Sequence, residues 1–370
     1  MNWHIFCKVI DNHGDLGVCW RLACGLAALG EQVRLWVDDP SALEWMAPGG
    51  MEGVTVVHWA QAAIGQPPVG GGPVDVLIEA FGCEPAPEAV AMLATASAPA
   101  RAGERSRRWI NLEYLSAERG VERLHGLPSP VFAGAGRGLV KHFFYPGFAQ
   151  RTGGLLREVG LMERIRRFDA AVWASAHGLH RPGLRTMSLF CYEPTTLPQW
   201  LSQQTAADEP TALRVTAGRA ATAVRQWLGD EVAPTSGGSI VRGRLHIDFV
   251  PHLPQADFDR LLWSSDVNFV RGEDSLVRAL WAGRPFVWQI YPQDDGAHRA
   301  KLEAFLDWLD APPTMRRFHA AWNGLRDIAL PVLDSSVLQE WGDAIRAARD
   351  RLLVQDDLVT QLLRFVAQKS

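Results

Sequence analysis

The sequence has little charge imbalance, few cysteines and no long apolar run, and each shortage removes a class of protein. Lysine and arginine total 37 against 41 aspartates and glutamates, a net charge of −4. There is no basic surplus for wrapping nucleic acid. No uncharged apolar stretch reaches the ~18 residues that would span a bilayer, so no membrane partner is expected. The opening MNWHIFCKVIDNHGD carries charges within its apolar run and has no small-residue cleavage site, which predicts no signal peptide. Cys7, Cys19, Cys24, Cys83 and Cys191 are odd in number and lack C-x-x-C spacing. Reduced thiols in a cytoplasm fit them better than a disulfide framework or a zinc site. No His or Asp pair stands out as a metal site.

What is there suits a large globular α/β chain. The 370 residues are 47% hydrophobic and include 15 tryptophans. Trp36, Trp173, Trp263 and Trp288 lie inside apolar runs, where core packing is the simplest role. Strand-like runs at 3–10, 32–39, 53–60, 74–82 and 107–115 alternate with helical stretches at 17–30 and 86–96. A second series follows, with strands at 186–193, 212–218, 244–250, 266–272 and 285–291 and helices at 219–229, 255–265 and 273–283. Strand–helix alternation predicts parallel, doubly wound sheets, and two series predict two Rossmann-like domains with ligands beyond the carboxyl ends of the strands. Pro146, Gly147 and the Gly153-Gly154 pair suggest a linker within 146–165. The expected division is 1–155, 156–335 and an amphipathic helical tail, 336–370, packing back on the first domain.

Two constellations carry chemistry. In DNHGDLGVCWRL (11–22), Gly14 and Gly17 predict loop conformations open to a ligand, and the following helix aims its positive end at the loop. The spacing is not G-x-G-x-x-G, and acids stand where a phosphate loop would place bases. Asp15 as a helix cap and Asp11 in an Asx turn is one reading. The other makes one carboxylate a general base and the second its orienter. In FVRGEDSLVRALWAGRPFVWQIYPQ (269–293), a strand ends at Arg271-Gly272, and Glu273, Asp274 and Ser275 open a helix. Asp274 or Ser275 could simply be an N-cap, and Glu273 could simply favour the helix dipole. The same helix start also offers amides for a diphosphate, with the Ser275 hydroxyl, Arg271 and Tyr291 at hand. Phe190, Tyr192 and Phe258 lie at strand ends or loop starts, where either a core or a nucleobase could take them.

Together these segments resemble the protein-arginine rhamnosyltransferases that modify bacterial elongation factor P, the EarP family. D-N-x-G-D-x-G-V-x-W-R-L at 11–22, S-L-F-C-Y-E at 188–193 and V-R-G-E-D-S-x-V-R-A-x-W-A-G-x-P-F-x-W-x-I-Y-P-Q at 270–293 carry the resemblance, which extends over essentially the whole chain. It implies an inverting glycosyltransferase of the GT-B type, with two facing Rossmann-like domains. Rhamnose would move from dTDP-β-L-rhamnose to an arginine of elongation factor P, without a metal or other cofactor. The first domain would bind the acceptor protein and the second the nucleotide sugar. Asp15 is similar to the family's general base, with Asp11 and Glu273 as further essential acids. Arg271, Asp274, Ser275, Tyr192 and Tyr291 resemble the diphosphate and ribose contacts, and Phe190, Gln255 and Phe258 the thymine pocket. Asn12 and Gly17 complete the implied donor set. The family pattern leads us to expect phenylalanine where this chain has His252.

The chemistry suits such residues. A guanidinium has a pKa above about 12 and a delocalised lone pair, so it attacks poorly unless carboxylates orient it and one accepts its proton. Two other functions fit the same two-domain shape. A nucleotide-sugar epimerase would turn over without a protein acceptor. A non-catalytic nucleotide-binding module would keep its effect after Asp15→Asn.

Overall fold

The structure is a computed structural model that describes residues 1–10, 13–60, 74–95, 107–229, 237–293 and 296–368. The chain forms two compact units, 1–159 joined by 355–370, and 160–354.

The first unit is built on a seven-stranded sheet. Its strands are β1 (Asn2–Cys7), β2 (Gln32–Val37), β3 (Val54–His58), β4 (Val76–Ala80), β5 (Arg108–Leu112), β6 (Pro128–Pro130) and β7 (Val140–Phe144), in the order β3-β2-β1-β4-β5-β7-β6. Neighbours run parallel except β6, which pairs antiparallel to β7. Helices α1 (Gly14–Ala28), α2 (Leu43–Met46), α3 (Pro87–Thr95) and α4 (Val121–Leu124) connect them. The side-chain period of two sorts each strand between two cores. Ile5, Cys7, Leu35, Val37, Ile78 and Ile110 join Leu16, Cys19 and Leu22 of α1 on one face. Phe6, Trp36, Leu77 and Trp109 fill the other. With apolar material on both faces, these strands read as continuous hydrophobic runs, the mark of a buried parallel sheet.

The second unit opens with α5 (Leu161–Arg167) and α6 (Ala170–Ala176). It continues through β8 (Arg185–Leu189), α7 (Leu197–Thr205), β9 (Thr211–Thr216), α8 (Arg219–Leu228), β10 (Ser239–Arg242), β11 (Leu245–Val250) and α9 (Gln255–Trp263). Next come β12 (Val267–Arg271), α10 (Gly272–Ala282), β13 (Phe286–Gln289), α11 (Ala297–Trp308), α12 (Pro313–Trp322) and α13 (Ser335–Leu353). Its sheet runs β10-β11-β9-β8-β12-β13, parallel apart from the β10–β11 pair. The four tryptophans named from the sequence are all buried, Trp36 and Trp288 almost completely.

The last helix, α14 (Leu358–Gln368), belongs to the first unit. Leu358, Val359, Leu362 and Val366 enter the same core as α1, and each such burial contributes ~1.5–3 kcal/mol as an upper estimate. Gly25 admits this contact: a Cβ there would lie 2.8 Å from Val359 Cγ2. The boundaries therefore differ from the sequence-based division. The units part between Val159 and Gly160, and α13, grouped by sequence with the returning tail, stays in the second unit, so only α14 returns. Trp341, Ile345 and Ala348 are fully buried along α13, with Trp341 edge-on to Phe318 of α12.

Candidate functional site

In the second unit the chain runs from β8 outward through β9 to β11, then crosses to β12 and β13 on the other side of β8. The order reverses between β8 and β12, and in open α/β sheets a ligand crevice lies beyond the carboxyl ends at such a point. Phe190 follows β8, its amide held by Phe269 O at 2.9 Å, and Arg271 ends β12. The Arg271 guanidinium lies over the rings of Phe190 and Tyr192, 4.5 and 4.7 Å from their centroids, and its Nη1 donates to Cys191 O at 3.3 Å. Burial lowers its pKa, but a guanidinium remains a cation at neutral pH. Burial also pushes the Tyr192 hydroxyl up to about 12, which keeps it a neutral donor. The Tyr192 amide is fixed by Gln289 Oε1 at 2.8 Å, and Tyr291 meets the Tyr192 ring edge-on at 5.5 Å. Arg219 caps the arrangement at 5.1 Å from the Tyr192 centroid. Its Nε forks onto Glu193 at 2.7 and 2.9 Å, and this bonding holds the Glu193 carboxyl below its usual range.

Beside this cation–π layer, Phe258 stands edge-on to Phe190 at 5.2 Å. Gln255 is the first residue of α9, three before Phe258, so the two share a helix face. His252, where phenylalanine is expected in the family, is exposed in the segment before α9.

The start of α10 is shaped by one glycine. Gly272 has φ +65°, a left-handed conformation that turns the strand into the helix, and a Cβ there would lie 3.5 Å from the Tyr192 hydroxyl. Trp288 Nε1 donates to Gly272 O at 2.7 Å. Glu273 and Asp274 occupy the first turn, where helical amides lack intrahelical partners and the dipole is positive. Ser275 is buried; its hydroxyl accepts from the Arg271 amide at 3.1 Å and donates to Arg271 O. The side chain expected to face a diphosphate is thus engaged by its own helix start. Glu273 pairs with Lys301 of α11, each about 20% exposed.

The first unit repeats the topology: its order reverses between β1 and β4. Asp15 sits in the first turn of α1, half-buried, and Tyr114 Oη approaches its Oδ2 at 3.4 Å, long for an O–H···O bond. The Tyr114 ring stacks on Phe81 at 4.8 Å with planes 24° apart. Phe81 has φ +57°, a left-handed strain of about 1–2 kcal/mol for a residue with a Cβ, and its amide is held by Leu112 O at 2.8 Å. Glu113 next door accepts from Asn111 Nδ2 at 2.9 Å, and burial raises its pKa. A cavity of about 530 Å³ lies at this edge between Lys8, Ile10, Asp38, Trp59 and Phe81.

Several expectations change. The cap of α1 is His13, so Asp15 is not a cap. Gly14 and Gly17 are helical instead of loop glycines: neither has a positive φ, and the Gly17 amide donates to His13 O at 2.9 Å. Helix α1 simply starts three residues before the apolar periodicity does. Asp11 and Asn12 lie outside the described residues. The D-x-D pair Asp257/Asp259 offers no metal site. Asp259 is buried and forked by Arg278 at 3.0 and 2.7 Å, while Asp257 accepts from Trp173 Nε1 and Arg260 Nη1. Among the described residues no group of three or more His, Cys, Asp or Glu could hold a metal ion. Sequence reading missed Lys301, Arg219, Gln289 and Tyr114. Gln289 lay inside a quoted motif, whereas Lys301 is brought to Glu273 only by the fold.

A sequence model of the family "Elongation-Factor P (EF-P) rhamnosyltransferase EarP" matches residues 3–367. The chain is 43% identical to a protein-arginine rhamnosyltransferase of Pseudomonas aeruginosa over 390 aligned positions, covering 99% of each chain. A solved structure described as the structural basis for EarP-mediated arginine glycosylation of translation elongation factor EF-P is similar at 30% identity and a TM-score of 0.66, covering 100% of this chain and 99% of that one. Spinosyn rhamnosyltransferase SpnG complexed with thymidine diphosphate shares the fold at 12% identity, with a TM-score of 0.52 and 99% and 100% coverage. Both units are therefore the Rossmann-like halves of a GT-B glycosyltransferase, and the epimerase and non-catalytic readings fall away. With a family match across nearly its whole length, the chain belongs to the protein-arginine rhamnosyltransferases of elongation factor P, the EarP family.

Proposed function

We propose that this enzyme transfers rhamnose from dTDP-β-L-rhamnose to an arginine side chain of elongation factor P, with inversion at the anomeric carbon. Family membership over residues 3–367 carries the reading. The second unit takes the donor: thymine lies against Phe190 and Phe258 with Gln255 at its edge, and the diphosphate lies at the amino end of α10. Arg271, Tyr192, Tyr291, Asp274 and Ser275 serve the diphosphate and ribose, Ser275 by shaping the helix start. The first unit takes the acceptor protein. Asp11, Asn12 and Gly17 keep the roles the family resemblance implies for them.

In the transfer, a guanidinium nitrogen attacks C1 of rhamnose from the face opposite the diphosphate. The N–C1 bond forms as the bond from C1 to the diphosphate oxygen breaks, and the nitrogen's proton passes to the Asp15 carboxylate. The products are rhamnosyl-arginine and dTDP. Glu273 orients the guanidinium fork, which pairs naturally with a carboxylate. The charge on the departing diphosphate is met by the Arg271 cation and the α10 amides, the work that a metal ion performs in other transferases. The reaction as we read it needs no metal. Among the described residues no helix is long and apolar enough to cross a membrane, and five thiols without a disulfide suit a cytoplasmic enzyme.

The direct test is incubation with dTDP-β-L-rhamnose and elongation factor P, followed by mass spectrometry of the acceptor. A gain of one deoxyhexosyl mass on an arginine peptide is the expected result. An unmodified acceptor, alongside a modified one from the Pseudomonas aeruginosa relative, would reject the proposal.

A further inference from the structure

The donor end of the second unit contains a charge conflict. A diphosphate is at least a dianion, yet the first turn of α10 carries two acids, Glu273 and Asp274. Arg271 is the cation at the helix start, and it is already layered against Phe190 and Tyr192. Arg219 is bound in a fork with Glu193 and brings no net charge. A further cation, Lys301 on α11, pairs its ammonium with Glu273. Both partners are about four-fifths buried, so solvent screens the charge less than at an open surface.

We infer that Lys301 is the counter-ion that cancels Glu273 toward the donor, allowing an acid needed for the acceptor arginine to stand beside a diphosphate. The inference rests on the donor-site reading above. Without Lys301 the Glu273 carboxylate faces the ligand's phosphates with its charge unopposed by this ammonium, despite the favourable dipole. With Lys301 present that charge is offset before the ligand arrives. The same ion pair holds the Glu273 carboxylate in one orientation, so Lys301 acts through Glu273 as a positioning residue and does not itself touch the reacting atoms.

The test is titration calorimetry of dTDP with the full chain carrying Lys301→Gln, Lys301→Arg, Glu273→Gln and the Glu273→Gln/Lys301→Gln pair. Removal of one charge opposite in sign to the ligand is expected to weaken dTDP about tenfold in Lys301→Gln. Lys301→Arg should keep near wild-type affinity. Glu273→Gln should bind at least as well as wild type, and the double variant should recover most of the lost affinity. That recovery is the readout a merely structural lysine would not give. Unchanged dTDP affinity in Lys301→Gln overturns the inference, as does a double variant no better than Lys301→Gln alone. Wild-type protein that fails to bind dTDP overturns the donor-site reading itself.

Discussion

The carboxyl edges of the two sheets share a topology and differ in how their side chains are held. At the second unit's edge, Arg271 lies over two aromatic rings, the Tyr192 amide is tied to Gln289, and Glu273 is paired with Lys301. At the first unit's edge, Asp15 meets the hydroxyl of an exposed tyrosine at 3.4 Å, beside a wide cavity. Under the proposed roles this contrast has a physical reason. A nucleotide sugar is small, and affinity for it comes from groups already fixed before it binds. A protein acceptor brings its own surface, so its side of the enzyme needs chiefly an acid in the right place. Catalytic hydrogen bonds in unliganded enzymes are often long and shorten in the complex.

Separating rate from donor affinity puts that contrast under the greatest strain. Asp15→Asn keeps shape but removes the proton acceptor, and its rate should fall by about 10²–10⁴. Its affinity for dTDP should stay unchanged in calorimetry. Near wild-type modification of elongation factor P by this variant would take Asp15 out of the base role and leave Asp11 to be tried in its place.

The rigidity of the donor side has a pH signature. His319 is fully buried, accepts the Trp288 amide at Nε2 (3.0 Å) and faces Met315 O with Nδ1 (2.9 Å). Burial lowers its pKa from 6.5 to about 4. Between these values the unfolded chain binds the proton and the folded chain does not, so stability falls as pH drops from 6.5 towards 4. The expected loss is on the order of 2–3 kcal/mol. Urea melts at pH 7 and pH 4.5 should show it, and His319→Gln should flatten the slope. His4 of the first unit, also brought down to about 4 by burial, keeps its share. A slope identical in wild type and variant would remove His319 as its source.

Ring truncation at the donor end should have a smaller effect. Stacking of a base on an aromatic ring is worth ~1–3 kcal/mol, so Phe258→Ala or Phe190→Ala should weaken dTDP by roughly tenfold or more. Unchanged affinity in both variants would move the base elsewhere. The Phe190 variant also bares one face of Arg271, and its loss should be the greater of the two.

The smallest effect sharpens the acceptor side. Tyr114→Phe keeps the stack on Phe81 and removes the hydroxyl directed at Asp15. Loss of a hydrogen bond to a charged group predicts a rate loss of a few-fold. An unchanged rate would show that the 3.4 Å approach does not tighten during catalysis.

Sequence alone determined the α/β class and two strand–helix series, because buried parallel strands and amphipathic helices write their periods into the chain. It also placed Arg271, Glu273 and Phe190 at strand or helix ends, since strand ends are where the apolar run stops. It could not tell that α1 begins at Gly14, because a first helical turn at the surface has no apolar period to announce it. Nor could it tell that α13 and α14 join different units, since both are amphipathic and only the shape of the receiving core, with Gly25 opening space for Val359, distinguishes them. The pairing of Glu273 with Lys301, 28 residues away, and of Asp15 with Tyr114, 99 residues away, was decided only by tertiary structure. A charge carries no mark of its partner along the chain, and the order of strands in the sheet is what brings the two together.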